Sequence, residues 1–427
     1  DLTFVPILEG VKDHLPNVKG YVIMTDRAHM PAETSLPNVV CYEELIDKGD
    51  AGFQWPKFDE NTACGMCYTS GTTGNPKGVM YSHRSNVLHA MVSGGGDALP
   101  LSSRETIMPV VPMFHANAWS MVFSAPMAGA KMVMPGAQMD GASIYELLND
   151  EKVSLTLAVP TVWLMLLQYL EKNPDLKLDA LKNVVIGGAA CPEAMMRAFE
   201  DDYDTNVVHA WGMTEMSPLG SLGTRKGGLE TMDADTWWQT KLKQGRPAYS
   251  VEMKITDDDG NELAQDGVQF GRLKVRGPSI AKSYFKGEGS DVFDDDGWFD
   301  TGDVATIDEH GYMQITDRSK DVIKSGGEWI SSIDLENVAM GCPGVAEAAA
   351  IGMPHPKWDE RPMLVIVKKP DEEVTKDQVL AHLEGKIVKW WTPDDVVFTD
   401  EIPHTATGKI SKLTLRERYK DHVLPTI

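Results

Sequence analysis

From Tyr21 to about Ser325 short β-rich runs alternate with longer helical patterns, and this alternation constrains the fold more than any other feature of the chain. Tyr21-Val-Ile-Met24, Lys131-Met-Val-Met134, Leu155 to Val159 and Val184-Val-Ile186 read as strands. Helical stretches follow His83, fill Ala142 to Asn149 and Thr161 to Leu170, and restart where Pro192 opens a helix with Met196 and Phe199 on one face. Strands separated by helices predict parallel α/β layers. From Val251 to Arg276 apolar and polar residues alternate, broken by Asp257-Asp-Asp-Gly260 and Asp266-Gly267, which reads as β-hairpins. Beyond Asp317 a short hairpin, a helix from Ser332 to Met340, strands at Ala348 to Ile351 and Met363 to Val367, and a helix from Lys376 to Lys386 make a small α+β domain. The expected fold class is α/β: a large N-terminal domain of layered α/β subdomains over residues 1–318, with a β-rich subdomain at about 245–317, then a small mobile α+β domain at 319–427.

Composition narrows the function classes. The 427 residues carry 40 Lys and Arg against 63 Asp and Glu, a net charge of −23, so general attraction to nucleic acid or anionic membranes is disfavoured and any anion needs a local site. Five cysteines, an odd and scattered set, suit reduced thiols and a cytoplasmic location better than a disulfide framework. Cys64 and Cys67 have CxxC spacing, but there is no second pair, and an offset of three along a strand sends the thiols to opposite faces. The most apolar stretches are too short or too interrupted to span a bilayer, and no leader is visible at Asp1-Leu-Thr-Phe4. The acidic triplets 257–259 and 294–296 lack spaced ligands and end in Gly, so they read as solvated turns.

Chemistry concentrates in Tyr68-Thr-Ser-Gly-Thr-Thr-Gly-Asn-Pro-Lys-Gly78. Three glycines, hydroxyl residues and one lysine between apolar flanks give a loop dense in N–H and O–H donors, which is what a polyphosphate needs. A GxxxxGK[ST] loop counted from Gly71 fails at Pro76 and Gly78, so this is not the P-loop of NTPases.

That segment resembles the phosphate loop of the adenylate-forming (ANL) superfamily, which contains acyl-CoA synthetases, peptide-synthetase adenylation domains and beetle luciferases. Other segments follow in the family's order. The resemblance implies ATP or AMP binding by Thr69, Ser70, Gly71, Thr72, Thr73, Gly74 and Lys77, and by Gly188, Ala189 and Ala190 beside adenine. Trp211-Gly212-Met213-Thr214-Glu215 resembles the family's YGxTE segment, with an indole that could stack on adenine in place of Tyr. It implies Thr214 at the α-phosphate, Glu215 with Thr72 at Mg²⁺, and Asp303 and Arg318 at the ribose hydroxyls. Lys320 takes the hinge position, and Lys409, in Thr405-Ala-Thr-Gly-Lys-Ile410, the place of the catalytic lysine. A cation there would offset the negative charge that builds when a carboxylate attacks the α-phosphate. Gly326 and Gly327, with Trp329, would let a pantetheine arm pass close to the backbone.

Val111-Pro-Met-Phe-His-Ala-Asn-Ala-Trp119 and Pro354-His-Pro-Lys-Trp-Asp-Glu-Arg-Pro362 are similar to the medium- and long-chain fatty-acyl-CoA synthetase branch, which includes 3-methylthiopropionate-CoA ligase-like enzymes. By that likeness His115 lies near the carboxylate and Trp119 gates the acyl pocket. The implied activity is acyl-CoA synthesis: a small-molecule carboxylate and MgATP give acyl-AMP, and CoA takes the acyl group. A luciferase-like oxygenase or an acyl-AMP ligase with another acceptor would share the nucleotide motifs; a homodimer is compatible with the resemblance. Only 67 residues precede Tyr68, fewer than in family members, so part of the N-terminal domain is expected to lie outside this chain. The pairs Trp237-Trp238 and Trp390-Trp391 suit either packing or an acyl or CoA contact.

Overall fold

The computed structural model describes residues 1–69, 76–326, 328–370, 372–405 and 408–427. The chain forms two compact units, Asp1–Asp59 and Glu60–Ile427. In the first, β1 (Tyr21–Ile23) pairs in parallel with β2 (Val39–Cys41) beside short helical turns.

The second unit opens with an antiparallel hairpin of β3 (Ala63–Tyr68) and β4 (Gly78–Ser82). Cys64 is exposed on it and Cys67 buried, as their offset predicts. Helix α1 (His83–Ser93) follows, started by a capping box between Ser82 and Ser85. A seven-stranded sheet comes next, built from β5 (Thr106–Pro109), β6 (Lys131–Met132), β7 (Leu155–Ala158), β8 (Asn183–Ile186), β9 (Asn206–Gly212), β10 (Leu219–Leu222) and β11 (Arg246–Pro247). Its order is β11-β10-β9-β8-β7-β5-β6, parallel from β6 to β9 and antiparallel at β10 and β11. All four residues of β7 are buried, as a strand covered on both faces requires. One face is covered by helices α2 (Gly141–Asp150) and α3 (Pro160–Glu171), which contribute Ile144, Leu148, Trp163, Leu166 and Leu170 to a core that also holds Met196 and Phe199. The opposite face packs Leu155, Leu157, Val185 and Val208 with Met121 and Ala125. Pro192 is the residue before its helix rather than part of its first turn, and that helix, Glu193–Arg197, widens at once into a π-turn over Ala198–Asp202.

The β-rich section is a four-stranded antiparallel sheet of β12 (Glu252–Thr256), β13 (Phe270–Arg276), β14 (Phe299–Ile307) and β15 (Met313–Arg318). Both acidic triplets are turns: Asp257 Oδ1 accepts the Asn261 N–H at 2.8 Å and Asp294 Oδ1 the Trp298 N–H at 2.8 Å, with Gly260 and Gly297 in the left-handed region. The last sheet contains β16 (Ile323–Ser325), β17 (Glu328–Ile330), β18 (Val345–His355), β19 (Asp359–Lys368) and β20 (Asp395–Phe398), with α4 (Ser332–Met340) and α5 (Lys376–Leu383) sharing its core. The strands expected at 348–351 and 363–367 are longer than predicted, because Gly352–His355 continue to pair with Asp359–Pro362 up to a tight turn. No helix among the described residues is long and apolar enough to cross a membrane.

Candidate active site

The glycine- and threonine-rich segment is the loop of the β3–β4 hairpin, and its base is closed twice. The Thr69 N–H donates to the Lys77 carbonyl at 2.9 Å, and the Lys77 N–H donates to Thr69 Oγ1 at 3.0 Å. Ser70, Gly71, Thr72, Thr73 and Gly74 lie outside the described residues. The Lys77 ammonium sits over the Tyr284 ring, 4.7 Å from its centroid.

Lys77 borders a cavity of about 960 Å³ that is also reached by the C-terminal ends of β8 and β9 and by β14 and β15. Every described residue expected to bind nucleotide lines it: Thr69, Lys77, Gly188 to Ala190, Trp211 to Thr214, Asp303 and Arg318. So do Glu215, His115, Trp119, Lys320 and Lys409. At the end of β9 the chain turns through Met213 into a 3₁₀ turn, Thr214–Met216, whose first two residues are buried. Two tyrosines hold that turn: the Tyr81 hydroxyl donates to the Thr214 carbonyl at 2.7 Å, and the Tyr284 hydroxyl donates to Glu215 Oε1 at 2.6 Å.

Asp303 and Arg318 are register partners on β14 and β15, and Arg318 Nε stands 2.9 Å from Asp303 Oδ1. The other oxygen, Oδ2, accepts the Trp211 indole N–H at 3.2 Å. Burial pushes the Asp303 carboxyl up, and the Arg318 guanidinium and the indole N–H pull it back. Trp211 is itself fixed edge-on against Gly220, where an added Cβ would lie 2.5 Å from the ring.

Lys409 enters from a tight turn. The Thr405 N–H donates to the Lys409 carbonyl at 2.8 Å, the Lys409 N–H donates to Thr405 Oγ1 at 3.2 Å, and Gly408 has φ +77. A Cβ on Gly408 would lie 3.0 Å from Val159 Cγ2, and one on Gly188 would lie 3.8 Å from Lys409 Cε, so the lysine reaches the loop after β8 across glycine backbone. Burial and the Arg318 charge lower the Lys409 ammonium to about 8, against the pull of Asp303 and Glu215. His115 is lowered to about 4 by burial and by the Lys409 charge, so it is a neutral imidazole at pH 7.

Beyond His115 the cavity wall has unusual backbone. Ala116, Asn117, Ala118, Trp119 and Ser120 have φ between 45 and 68, a left-handed turn of five residues without a glycine. It turns the Trp119 indole onto the loop after β8, 3.2 Å from where a Gly187 Cβ would stand.

Comparison with known proteins fits this geometry. Residues 6–285 match the AMP-binding enzyme family, and residues 334–409 match the AMP-binding enzyme C-terminal domain. The chain belongs to this family. It is 49% identical over 421 residues to the 3-methylmercaptopropionyl-CoA ligase of Ruegeria lacuscaerulensis, covering 99% of this chain and 78% of that protein. It is 48% identical over 424 residues to the medium-chain-fatty-acid–CoA ligase of Ectopseudomonas oleovorans, covering 99% and 77%. Among solved structures, ATP-bound MatB from Rhodopseudomonas palustris superposes with a TM-score of 0.77 at 26% identity, over 90% of this chain and 75% of that one. The α/β fold class and the acyl-CoA synthetase resemblance read from the sequence both hold, and the enzyme class is that of an AMP-forming carboxylate–CoA ligase.

Within the family frame, the expected pantetheine residues stand apart from the cavity. Gly326, at φ +63, is covered by Trp358 and Trp390, whose rings meet edge to face at 4.9 Å. Gly327 lies outside the described residues, and Trp329 packs on Phe270 with ring centroids 5.5 Å apart. Trp237 packs on Tyr312, and the Trp238 indole N–H donates to Glu193. Sequence reasoning missed the polar junction behind Lys320. There Asp317 Oδ2 accepts the Ser332 N–H at 2.8 Å, Lys412 pairs with Glu336 at 2.9 Å, and Arg416, on helix α6 (Lys412–Arg418), pairs with Asp321. It also missed Tyr81 and Tyr284, because nothing in a lone tyrosine announces a partner 133 or 69 positions away.

Proposed function

We propose that this chain converts a carboxylic acid and MgATP to acyl-AMP and pyrophosphate, then transfers the acyl group to the thiol of CoA. The observation that carries this reading is the Lys409 ammonium standing in one cavity with the Asp303–Arg318 pair, Thr214 and Glu215. Asp303 and Arg318 would hold the ribose, which leaves Lys409 to face the α-phosphate that the carboxylate attacks. The lysine charge would then meet the charge that develops on the phosphoryl oxygens, in a site where water screens little. Neutral His115 could donate a hydrogen bond to the incoming carboxylate without competing for the phosphate.

Glu215 fits a Mg²⁺ ion: its carboxylate is buried at the cavity wall and is held by a neutral hydroxyl, so its negative charge is not cancelled by that contact. A bound Mg²⁺ would neutralise phosphate oxygens, and a single carboxylate plus substrate oxygens is its usual protein environment. Thr72, the other expected ligand, lies outside the described residues.

The acid belongs to this reading too. A fatty acid of medium or long chain, or a short thioether acid such as 3-methylthiopropionate, is supported by the relatives at 49%, 48% and, for the long-chain ligase of Thermus thermophilus, 41% identity, and by Trp119 lining the cavity. A division at 318/319, a rotation about Lys320 that exchanges Lys409 for the Gly326 face between half-reactions, a homodimer and a cytoplasmic location are further parts of it. The test is mass spectrometry of acyl-CoA formed from MgATP, CoA and acids running from acetate to palmitate, including 3-methylthiopropionate. Lys409→Ala is expected to lose acyl-AMP formation yet accept synthetic acyl-AMP for thioester formation; equal loss of both half-reactions removes the assigned role.

A further inference from the structure

One side chain touches both ends of the proposed polyphosphate site. Tyr284 is 6% exposed, wedged against Cys67, Val79 and Tyr81 and edge-on to Phe293 at 5.5 Å. Its hydroxyl donates to Glu215 Oε1 at 2.6 Å, and its ring carries the Lys77 ammonium at 4.7 Å. Glu215 follows β9, whereas Lys77 closes the β3–β4 loop, and Tyr284 comes from neither segment. The Lys77 chain also runs beside Gly289, where a Cβ would lie 2.9 Å from its Cε, so the stretch that supplies Tyr284 leaves a channel for the lysine.

We infer that Tyr284 is a positioning residue that sets the metal carboxylate and the phosphate-loop lysine at a fixed separation before nucleotide arrives. This rests on the reading of Glu215 and Lys77 given above. The two contacts differ in kind, and the difference matters. A hydroxyl proton on one carboxylate oxygen orients the group and leaves the second oxygen for a cation, without introducing a competing positive charge. A ring face attracts the ammonium through its quadrupole and leaves its N–H donors available to phosphate, which a carboxylate partner would not. Fixing two opposite charges on one buried side chain also keeps them from collapsing into an ion pair while the site is free of phosphate.

Tyr284→Phe removes the hydroxyl and keeps the ring; Tyr284→Leu removes both. Calorimetric binding of ATP is measured with and without Mg²⁺, together with the Mg²⁺ concentration giving half-maximal acyl-AMP formation. The loss of a hydrogen bond to a charged group predicts that Tyr284→Phe needs about tenfold more Mg²⁺ while metal-free ATP binding stays at the wild-type level. Tyr284→Leu is expected to weaken metal-free ATP binding as well. A merely structural role would lower both kinds of binding together in Tyr284→Phe, and that result, or an unchanged Mg²⁺ requirement, overturns the inference. Tyr284→Phe is decisive even if Tyr284→Leu fails to fold. Glu215→Gln separates the two levels: if it leaves the Mg²⁺ requirement unchanged, the reading of Glu215 itself is wrong, whereas a shift there without one in Tyr284→Phe removes only the role of Tyr284.

Discussion

Arg318 Nε and Trp211 Nε1 divide one buried carboxylate between them, reaching Oδ1 of Asp303 at 2.9 Å and Oδ2 at 3.2 Å. The carboxylate is 2% exposed, so the guanidinium is its main compensation, and a ribose bound at Asp303 would meet an acceptor already held from two sides.

Removing that compensation should be felt in stability before catalysis. Breaking a buried pair costs about 3–5 kcal/mol, and the partial exposure of Arg318 brings the expectation for Arg318→Met to about 2 kcal/mol. Arg318→Lys keeps the charge but loses the fork, so it should unfold near the wild-type midpoint while its KM for ATP rises several-fold. Urea titration and steady-state kinetics read the two effects, and wild-type stability in Arg318→Met would show that Asp303 is not buried as a charge.

In its proposed role Lys409 should make activity and stability move in opposite directions with pH. Its ammonium is lowered to about 8 from the ordinary 10.5, so the folded chain loses this proton first as pH rises. Between those values the unfolded chain binds more protons, and the contribution of this group to stability increases with pH. In the role proposed for Lys409 adenylation uses the charged form, so kcat/KM for acyl-AMP formation should fall as pH passes about 8 in the free enzyme. A profile flat to pH 10 would detach Lys409 from the chemistry.

The buried Lys412–Glu336 pair offers a double-mutant test. Lys412 and Glu336 have side chains only 11% and 14% exposed, and burial pushes the Glu336 carboxyl up while Lys412 draws it down. Lys412→Met should destabilise the chain by about 3 kcal/mol, because it leaves that carboxylate unpaired. Adding Glu336→Gln should recover most of the loss, since an amide oxygen still accepts the Ala350 N–H now held by Glu336. Denaturant midpoints of the two single variants and the double variant give the coupling directly.

Trp119 should set which acids fit. Each methylene that gains or loses a place in an apolar pocket changes discrimination by about 1–3 kcal/mol. Trp119→Ala is therefore expected to raise kcat/KM for octanoate relative to butyrate about tenfold or more, in acyl-CoA assays with paired acids. An unchanged ratio would place the limit of the pocket elsewhere.

Local order was legible in the sequence and distant pairing was not. The helix at Ser332–Met340 falls where it was expected, and the strand at Leu155–Ala158 and the helix at Pro160–Glu171 fall within a residue of it, because apolar spacing, Pro160 and the following polar turn all agree. The glycine- and threonine-rich composition placed a loop between Tyr68 and Gly78, where β3 ends and β4 begins. By contrast, the Asp303–Arg318 bond depends on the register of β14 and β15, which is shifted by an irregularity between Val304 and Ala305. Strand β18 runs on past Ile351 through Gly352, Pro354 and His355, residue types that carry no apolar alternation and that usually end a strand. Tyr284 and Lys412 act through partners brought near by the fold alone, so residue type and spacing held no sign of them.

The left-handed turn over Ala116 to Ser120 restricts how this pocket can diverge. Each L-residue there stands in a conformation that costs roughly 1–2 kcal/mol relative to the right-handed one, and branched side chains tolerate it worst. Random substitution at these five positions would therefore favour glycine and asparagine and return few β-branched residues. Leu219 and Leu222, which line the same cavity from strand β10, stand outside that left-handed constraint. Handedness therefore filters which side chains positions 116 to 120 can carry, before any question of what they touch.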